Sequence, residues 1–321
     1  MTEAISMEKT RVSERAIARE KTSEIERAIA REETSNKERE DVLAVRMLVR
    51  AREDFQAMRK RMDNRIGRKA DGTDQDVEER AFNLSDLQMF ESVADDSKKQ
   101  EEIIEKYLAG PTRSLVKEGR VTRDYIPVLK RFPVYNQFLL PIKGVGTIAA
   151  GWIIAEYDIH KATTVSKMWQ FTGLNSSKVI GKKRVENEDG SFRYVMTDKK
   201  IYGDKLTQGF IAPFNKRLRA AMVGVMADGF IKAQNRYALE FYYPYKARLE
   251  QSEKATLKSR NTKSEKEMMW SKTSKGHRDR AAKRYMIKMF LKDLYVAWRT
   301  LEGLSVREPY QEEYLGHKHS V

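Results

Sequence analysis

Five consecutive residues, Lys143-Gly144-Val145-Gly146-Thr147, form the segment of this sequence best suited to hold an anion. Glycines accept positive φ and allow another backbone to approach closely, and a helix that begins here would point its free amides outward. A phosphate is the usual ligand of such a helix N-terminus, to which Lys143 would add a charge and Thr147 a hydroxyl. The alternative is an ordinary turn, in which the glycines only bring two helices together.

The residues around this turn favour a helix-hairpin-helix, a module that grips the DNA backbone without reading bases. An apolar run begins at Leu139 and leads into the turn. Small and apolar residues then continue to Ile159, which predicts a helix after the turn. The sequence therefore predicts a helical DNA-binding element centred on residues 139–159.

Two later basic segments are expected to contact a nucleic-acid backbone together with the turn. A loop over 175–190 and an alternating stretch over 192–196 predict a β-hairpin turned at Asp189-Gly190. A helix is predicted to begin at Asn215 and to reach about residue 247. The candidate contact residues are Lys178, Lys182, Lys183 and Arg184 in the hairpin segment, and Lys216, Arg217 and Arg219 in the helix.

Candidate nucleophiles and metal ligands are few. Ser176 and Ser177 are the candidate nucleophiles, but serines in a polar loop more often cap turns and helices. The carboxylates at 95, 96, 101, 102 and 105 are expected on a solvated helix face. Two C-terminal histidines, His317 and His319, have no third ligand near them in the sequence. The lack of cysteine excludes disulfides, iron–sulfur clusters and thiolate zinc sites. We expect no metal site and no cofactor.

The overall charge favours a polyanionic partner. The chain has 62 Lys and Arg against 47 Asp and Glu, a net charge of +15, which suits DNA or RNA.

Forty per cent hydrophobic residues with only 7 prolines predict a mainly α fold. The sequence has no apolar run of about 18 residues to span a membrane and no apolar core of a signal peptide, so a cytoplasmic location is expected.

Four segments are predicted along the chain. Residues 1–41 contain a repeat of period 12 with almost no large apolar side chain, and are predicted to be a mobile charged tail or a solvated helix. Residues 42–135 form a helical arm, and residues 136–302 form the DNA-binding domain with a small β-hairpin insertion. Residues 303–321 form a C-terminal tail.

The spacing of apolar residues predicts which helix faces are buried. The arm has a stripe at alternating steps of three and four, which predicts packing on its own domain or on another copy in a homo-oligomer. The stripe consists of Leu48, Ala51, Phe55, Met58 and Met62. The aromatic residues from Tyr237 to Tyr245 are expected in the core more than stacked on bases. Residues 246–284 carry a net charge of +8 and are expected to face phosphates and to order on binding. The last helix is expected to bury a stripe from Ala281 to Leu301.

Four motifs in order resemble the C-terminal part of transposases of the insertion-sequence 110 family, over about residues 42–300. They are GVGTIAAGWIIAEYDI with Glu156, Asp158 and Ile159, then MWQFTGL, then the Asn-x-x-Leu-Arg of 215–219, and finally HRDRAAKRYMIKMFLKDLYVAWR. The resemblance implies DNA binding and a role in DNA transposition or recombination. It also implies a guide-like RNA as a possible partner, because that family is associated with guide RNAs.

Two departures from the family limit what the resemblance implies about activity. The family begins with a resolvase-like domain whose four carboxylates hold two metal ions, and no strand of the type apolar-apolar-Gly-x-Asp precedes the arm here. At the place of the family's nucleophilic serine this sequence reads Val179-Ile180-Gly181, and an isoleucine cannot attack a phosphodiester. A DNA-binding protein without nuclease activity of its own is therefore implied, and whether the chain is an enzyme stays open. The alternatives are an active serine recombinase with a separate catalytic subunit, and a non-catalytic protein that binds DNA or RNA.

Overall fold

The computed structural model describes residues 36–67, 84–117, 120–254 and 268–307. Most of the predicted N-terminal tail, the C-terminal histidines and the middle of the cationic segment, 255–267, lie outside the described residues. The described chain is mainly helical and contains β-hairpins, which confirms the predicted fold class. None of its helices combines the length and apolar character that crossing a bilayer requires.

Helices account for most of the described chain. They are α1 (36–66), α2 (Leu84–Ala109), α3 (Thr147–Glu156), α4 (Val165–Phe171), α5 (Lys216–Arg219), α6 (Ala227–Lys232), α7 (Tyr243–Gln251) and α8 (Lys275–Leu301). Short 3-10 turns span Val128–Arg131 and Trp270–Lys272, and π-helical turns span Tyr135–Leu139, Ala220–Met226 and Ala238–Tyr242. The π turn after α5 leads directly into α6, so residues 216–232 form one continuous helix.

The strands form two separate antiparallel hairpins, β1 (Arg113–Lys117) with β2 (Arg120–Tyr125) and β3 (Lys178–Glu186) with β4 (Phe192–Tyr202). The predicted hairpin is confirmed, with Gly190 in its turn at φ +77°. Its strands are longer than predicted. Residues 178–186 form a strand, whereas the sequence analysis expected them in a loop.

The first hairpin, β1–β2, was not predicted. Residues 42–135 were expected to form a helical arm, whereas 120–125 are strand and helical turns begin only at Val128. The β-branched and aromatic residues before Pro127 favour extended backbone, and a proline disfavours helix in the residue before it.

Helix α3 lies at the centre of the hydrophobic core. Ala150, Ile153 and Ile154 are fully buried, and a single cluster joins them to Val49 of α1 and Phe290 of α8. Small residues on α3 allow this close packing, since a Cβ at Gly151 would lie 2.6 Å from the Cγ2 of Val49. Helix α1 therefore packs on its own domain.

The buried face of α1 differs from the predicted stripe. Val45 and Val49 are buried, while Met58 is 43% exposed. The remaining stripe residues, Leu48, Ala51, Phe55 and Met62, are only partly buried. The close approach of α3 explains the difference, because short β-branched side chains fit against Gly151 where longer ones would clash.

The acidic cluster of α2 is only in part a solvated face. Glu101 is 5% exposed and accepts a 2.7 Å hydrogen bond from Nε of Arg59, while Arg52 Nη2 lies 3.3 Å from its other oxygen. Arg52 also pairs with Glu105 at 3.1 Å. The expectation was wrong for Glu101 because α1 supplies two arginines to the same face of α2.

The helix predicted from Asn215 to about residue 247 is interrupted. Gln234 has φ +46°, and the backbone turns there before the next helical segment. The aromatic residues after the turn are mostly core, as predicted: Tyr237 and Tyr242 are buried, and Phe230, Tyr237 and Phe290 are in mutual ring contact. The predicted stripe of α8 is confirmed as well, since Ala281, Ile287, Met289, Phe290, Leu294 and Trp298 are buried.

Candidate nucleic-acid interface

The Gly-x-Gly turn precedes α3, and its first glycine lies at a helix contact. Gly144 has φ +91°, and a Cβ on it would lie 2.8 Å from the carbonyl oxygen of Gly229 in α6. Asn235 donates a 2.8 Å hydrogen bond from Nδ2 to the carbonyl oxygen of Lys143. The structure thus gives Gly144 the packing role that the sequence left as an alternative.

The second glycine of the turn keeps the N-terminus of α3 accessible. Gly146 is the N-cap residue, no side chain caps the helix, and a Cβ on Gly146 would meet nothing within 4 Å. The adjacent cleft of about 440 Å³ is lined by Thr147 together with Glu102, Glu105 and Lys106 of α2. Lys143 is exposed and Val145 is partly buried. An anion at this helix end would therefore have carboxylates as well as lysines nearby, which weakens the site for phosphate.

A larger cleft of about 780 Å³ is lined by a cluster of positively charged side chains. Its walls are the loop after β4, the helix over 216–232 and the first turns of α8. Its charged lining residues are Asp204, Lys205, Lys216, Arg219, Arg280, Lys283 and Arg284. Six cations against one carboxylate define what we call the cationic cleft. Phe214, Ala220, Val223 and Gly224 supply an apolar floor.

Helical spacing explains why these residues converge. On the helix over 216–232, the cleft residues Lys216, Arg219, Ala220 and Val223 recur at steps of three and one and so share one face. On α8, Arg280, Lys283 and Arg284 share a face by the same rule. The two faces oppose each other because the buried faces of both helices pack into the same core.

The pKa values of two arginines in the cationic cleft, and of one lysine beyond them on α8, are lowered. Burial, with the nearby guanidinium groups of Arg219 and Arg280, lowers the pKa of Arg284. Burial also lowers the pKa of Arg219 and that of Lys288 one turn further along α8. These lowered pKa values mean that the charged forms of Arg284, Arg219 and Lys288 are disfavoured in the folded protein. An anion bound in the cleft would stabilise the charged forms.

Not every cation of the cleft is available to a ligand. Lys283 Nζ lies 2.7 Å from Asp228 and 3.1 Å from Asp279. Arg219 donates from Nη1 to the carbonyl oxygen of Asp204 at 2.5 Å and stacks on Phe214. Arg280 and Arg284, by contrast, form no ion pair with any part of the chain that the structure describes.

The β3–β4 hairpin adds an exposed cationic ribbon to the cleft. Lys178, Lys182, Lys183 and Arg184 are all exposed, as are most other residues of both strands. Arg184 Cζ lies 3.5 Å from the ring centroid of Phe192, and Tyr194 is 70% exposed. The tip at 186–189 contains Glu186, Glu188 and Asp189. The cationic residues lie before the tip, over 178–184, and we call this part of the ribbon its shank.

The loop between β4 and α5 joins the ribbon to the cleft. Ile211 donates its backbone amide to the carbonyl oxygen of Lys182 at 2.8 Å. The ring of Phe210 lies between Lys183 and Lys199, whose Nζ atoms are 5.1 and 5.8 Å from its centroid. The same loop then lines the cleft with Asp204, Lys205, Leu206 and Phe214. The predicted basic residues of the hairpin thus belong to one connected surface with Lys216 and Arg219 of the helix.

Arg217 and the two serines have other surroundings. Arg217 forms an ion pair with Glu53 of α1, and burial together with Arg50 lowers its pKa. Ser176 and Ser177 are exposed at the base of the ribbon. Ser177 donates its amide to the side chain of Asn175 at 3.1 Å, and its carbonyl oxygen accepts from Gly203. These contacts are those of turn residues.

The sequence analysis named no residue of α8 as a candidate contact. Arg280, Lys283 and Arg284 lie in the cationic segment 246–284, which was expected to face phosphates only as a whole. Their spacing of three and one residues was a visible signal for a cationic helix face. Lys205 lies in a loop, where no periodicity could have indicated its position.

Comparison with known proteins adds no identity: no protein-family model, curated protein or solved structure matches this chain. The resemblance to transposases of the insertion-sequence 110 family therefore rests on its four motifs. The structure connects two of those motifs directly, since Asn215 donates from Nδ2 to Oε2 of Glu156 at 2.8 Å. Asn215 is also the N-cap of α5, accepting from the amide of Leu218.

Proposed function

We propose that this protein binds DNA through the sugar–phosphate backbone and acts in DNA transposition or recombination without nuclease activity of its own. The cationic cleft is the main contact surface in this proposal, and the shank of the β3–β4 ribbon extends it. The Gly-x-Gly turn contributes a weaker contact through Lys143 and Thr147. The proposal places the protein in the cytoplasm, as the sequence led us to expect.

The observation that carries the proposal is the pair Arg280 and Arg284. Two guanidinium groups stand one helical turn apart, beside a third on Arg219, and neither forms an ion pair within the described chain. Asp204 is the cleft carboxylate that partly offsets the charge of Arg284. Such clustering is unfavourable in the free protein because like charges repel in a partly buried cleft. A phosphate backbone supplies anions at regular spacing, and arginine binds phosphate with two parallel hydrogen bonds.

The ribbon supports a nucleic acid rather than a small anion. A two-stranded ribbon is narrow enough to enter the major groove, which is about 12 Å wide. Its shank offers Lys182, Lys183 and Arg184 to phosphates, and Phe192 and Tyr194 are exposed on the paired strand, with Tyr194 opposite Arg184. An extended surface of this kind exceeds what a single phosphate or sulfate would occupy.

The absence of nuclease activity is proposed from the carboxylates. Two-metal cleavage of a phosphodiester needs clustered acidic ligands. Within the described residues, the group of metal-capable side chains is Glu38, His160 and Glu302, which differs from the four carboxylates of the family's resolvase-like domain. A separate catalytic subunit would then supply cleavage. It would contact this chain either as a single copy or within a homo-oligomer of this chain.

Equilibrium binding of a labelled DNA duplex at several salt concentrations tests the proposal. We expect log K to fall with log salt by about 0.9 for each phosphate neutralised, whatever the duplex sequence. A slope near zero would contradict backbone binding. A folded RNA competitor distinguishes the second candidate: a non-catalytic RNA-binding protein would prefer the RNA at every salt concentration.

A further inference from the structure

Three side chains with metal-ligand chemistry converge at a place that shares no residue with the cationic cleft. They are Glu38 in the first turns of α1, His160 in the loop between α3 and α4, and Glu302 just after α8. One ligand atom from each lies within 4.8 Å of the other two. Three chain segments far apart in sequence thus bring one imidazole nitrogen and two carboxylates together.

The distances suit a first-row divalent ion after small side-chain rotations. Nitrogen and oxygen ligands lie about 2.0–2.2 Å from zinc, which places tetrahedral ligands roughly 3.4 Å apart. His160 is exposed and both glutamates are partly exposed, so their side chains have room to rotate toward a common ion. Water would complete the coordination on the open side.

Hydrogen bonds fix the loop that carries His160 and tie it to the end of α8, next to Glu302. Asp158 accepts hydrogen bonds from the amides of His160 and Lys161 at 3.1 and 3.2 Å. Arg299 donates to the carbonyl oxygens of Ile159 and Ala162 at 3.0 and 3.1 Å, which ties the His160 loop to the end of α8. A scaffold fixed in this way lowers the entropy cost of assembling a site.

The charges at this place are unbalanced. The ligand oxygens of Glu38 and Glu302 lie within 4.8 Å of each other, so two carboxylates are close together. The adjacent Lys161 is already paired with Asp158 at 2.9 Å. A divalent cation would remove this repulsion.

We infer that Glu38, His160 and Glu302 form a binding site for Zn²⁺ or a similar first-row divalent ion, in preference to Mg²⁺. The imidazole nitrogen favours zinc, whereas magnesium prefers six oxygen ligands in a strict octahedron. The bound ion would fasten the start of α1 to the α3–α4 loop and to the end of α8.

Calorimetric titration of ZnCl₂ into the tag-free, chelator-stripped full chain tests this site. The background is the His317→Asn/His319→Asn variant, so that the C-terminal histidines cannot account for binding. We expect one zinc ion to bind per chain and the melting temperature to rise with Zn²⁺. With Mg²⁺ we expect no rise in melting temperature. His160→Asn and Glu302→Gln should each weaken zinc binding by more than about tenfold, whereas Glu188→Gln at the ribbon tip should not.

The outcomes that would overturn the site are distinct. Zinc binding that is absent from the background variant, or unchanged by both His160→Asn and Glu302→Gln, would contradict it. Circular dichroism of each variant excludes loss of fold, and Glu38→Gln on α1 gives a third independent test. DNA binding by the cleft enters none of these measurements.

Discussion

The backbones of Gly144 and Gly229 lie directly against each other. A Cβ on Gly144 would lie 2.8 Å from the Gly229 carbonyl oxygen, and a Cβ on Gly229 would lie 2.9 Å from the Gly144 carbonyl oxygen. The turn before α3 is therefore fastened to α6 by close contact between one glycine from each segment. This contact sets the position of α6, which continues the helix that forms one wall of the cationic cleft.

Replacing the two glycines of the turn separately should have opposite results. Gly144→Ala should lower the free energy of unfolding by more than about 2 kcal/mol, because the residue has φ +91° and its Cβ would clash with backbone. Gly146→Ala should change it little, since its φ is −76° and the space around it is open. Urea denaturation of both variants measures the difference. Equal losses would mean that the turn is not packed as described.

The weaker contact at the turn can be tested with Lys143→Ala/Thr147→Ala. Loss of one charge-assisted contact and one hydroxyl contact should weaken duplex binding by at most about 2 kcal/mol, roughly thirtyfold. The nearby Glu102 and Glu105 are expected to keep the effect below that limit. The melting temperature should be nearly unchanged, because Lys143 is exposed and Thr147 only partly buried. Wild-type affinity for DNA and RNA would make the turn a packing element only.

Glu101 should be important for stability in a way that its acidic neighbours are not. Glu101→Ala leaves Arg52 and Arg59 without their shared partner and should lower the free energy of unfolding by roughly 1–3 kcal/mol. The control is Asp96→Ala, whose exposed carboxylate pairs with Lys99 and, among the described residues, with no other cation. That change should cost less than about 0.5 kcal/mol. A similar cost for both variants in urea denaturation would contradict the buried pairing of α1 with α2.

His277 should report the electrostatic potential of the cleft. Burial, then Arg284 and Arg280, lower its pKa. The folded protein thus binds this proton more weakly than the unfolded chain, so the free energy of unfolding should fall as pH drops below about 6.5 and should not change above it. Proton NMR titration should show an upward shift of this pKa in Arg280→Gln/Arg284→Gln, with His277→Gln used for assignment. An unchanged pKa would mean that the two arginines do not act on His277.

Local features of the fold could be predicted because they depend on short-range patterns. Asp189-Gly190 indicated the hairpin, and the spacing from Ala281 to Trp298 indicated the buried face of α8. The contact of Gly144 with Gly229 and the pair Arg217–Glu53 could not be predicted, since each joins segments whose relative position is fixed only by tertiary packing. The cleft belongs to the same class. Lys216 and Arg284 lie 68 positions apart in sequence, and neither helix alone indicates that their cationic faces oppose each other.

The most direct test of backbone binding by the cationic cleft compares two double variants that lose the same charge. Arg280→Gln/Arg284→Gln removes the unpaired arginines of the cleft, and Arg39→Gln/Arg61→Gln removes two exposed arginines of α1, which does not line the cleft. The measurement is the salt dependence of duplex affinity for both variants and the wild type. We expect the cleft variant to bind more weakly and its slope of log K against log salt to fall by about 1.8, at 0.9 for each phosphate contact. The α1 variant should keep the wild-type slope. Equal changes in both variants would contradict the cleft as the binding surface, because they would show that net charge alone determines the affinity.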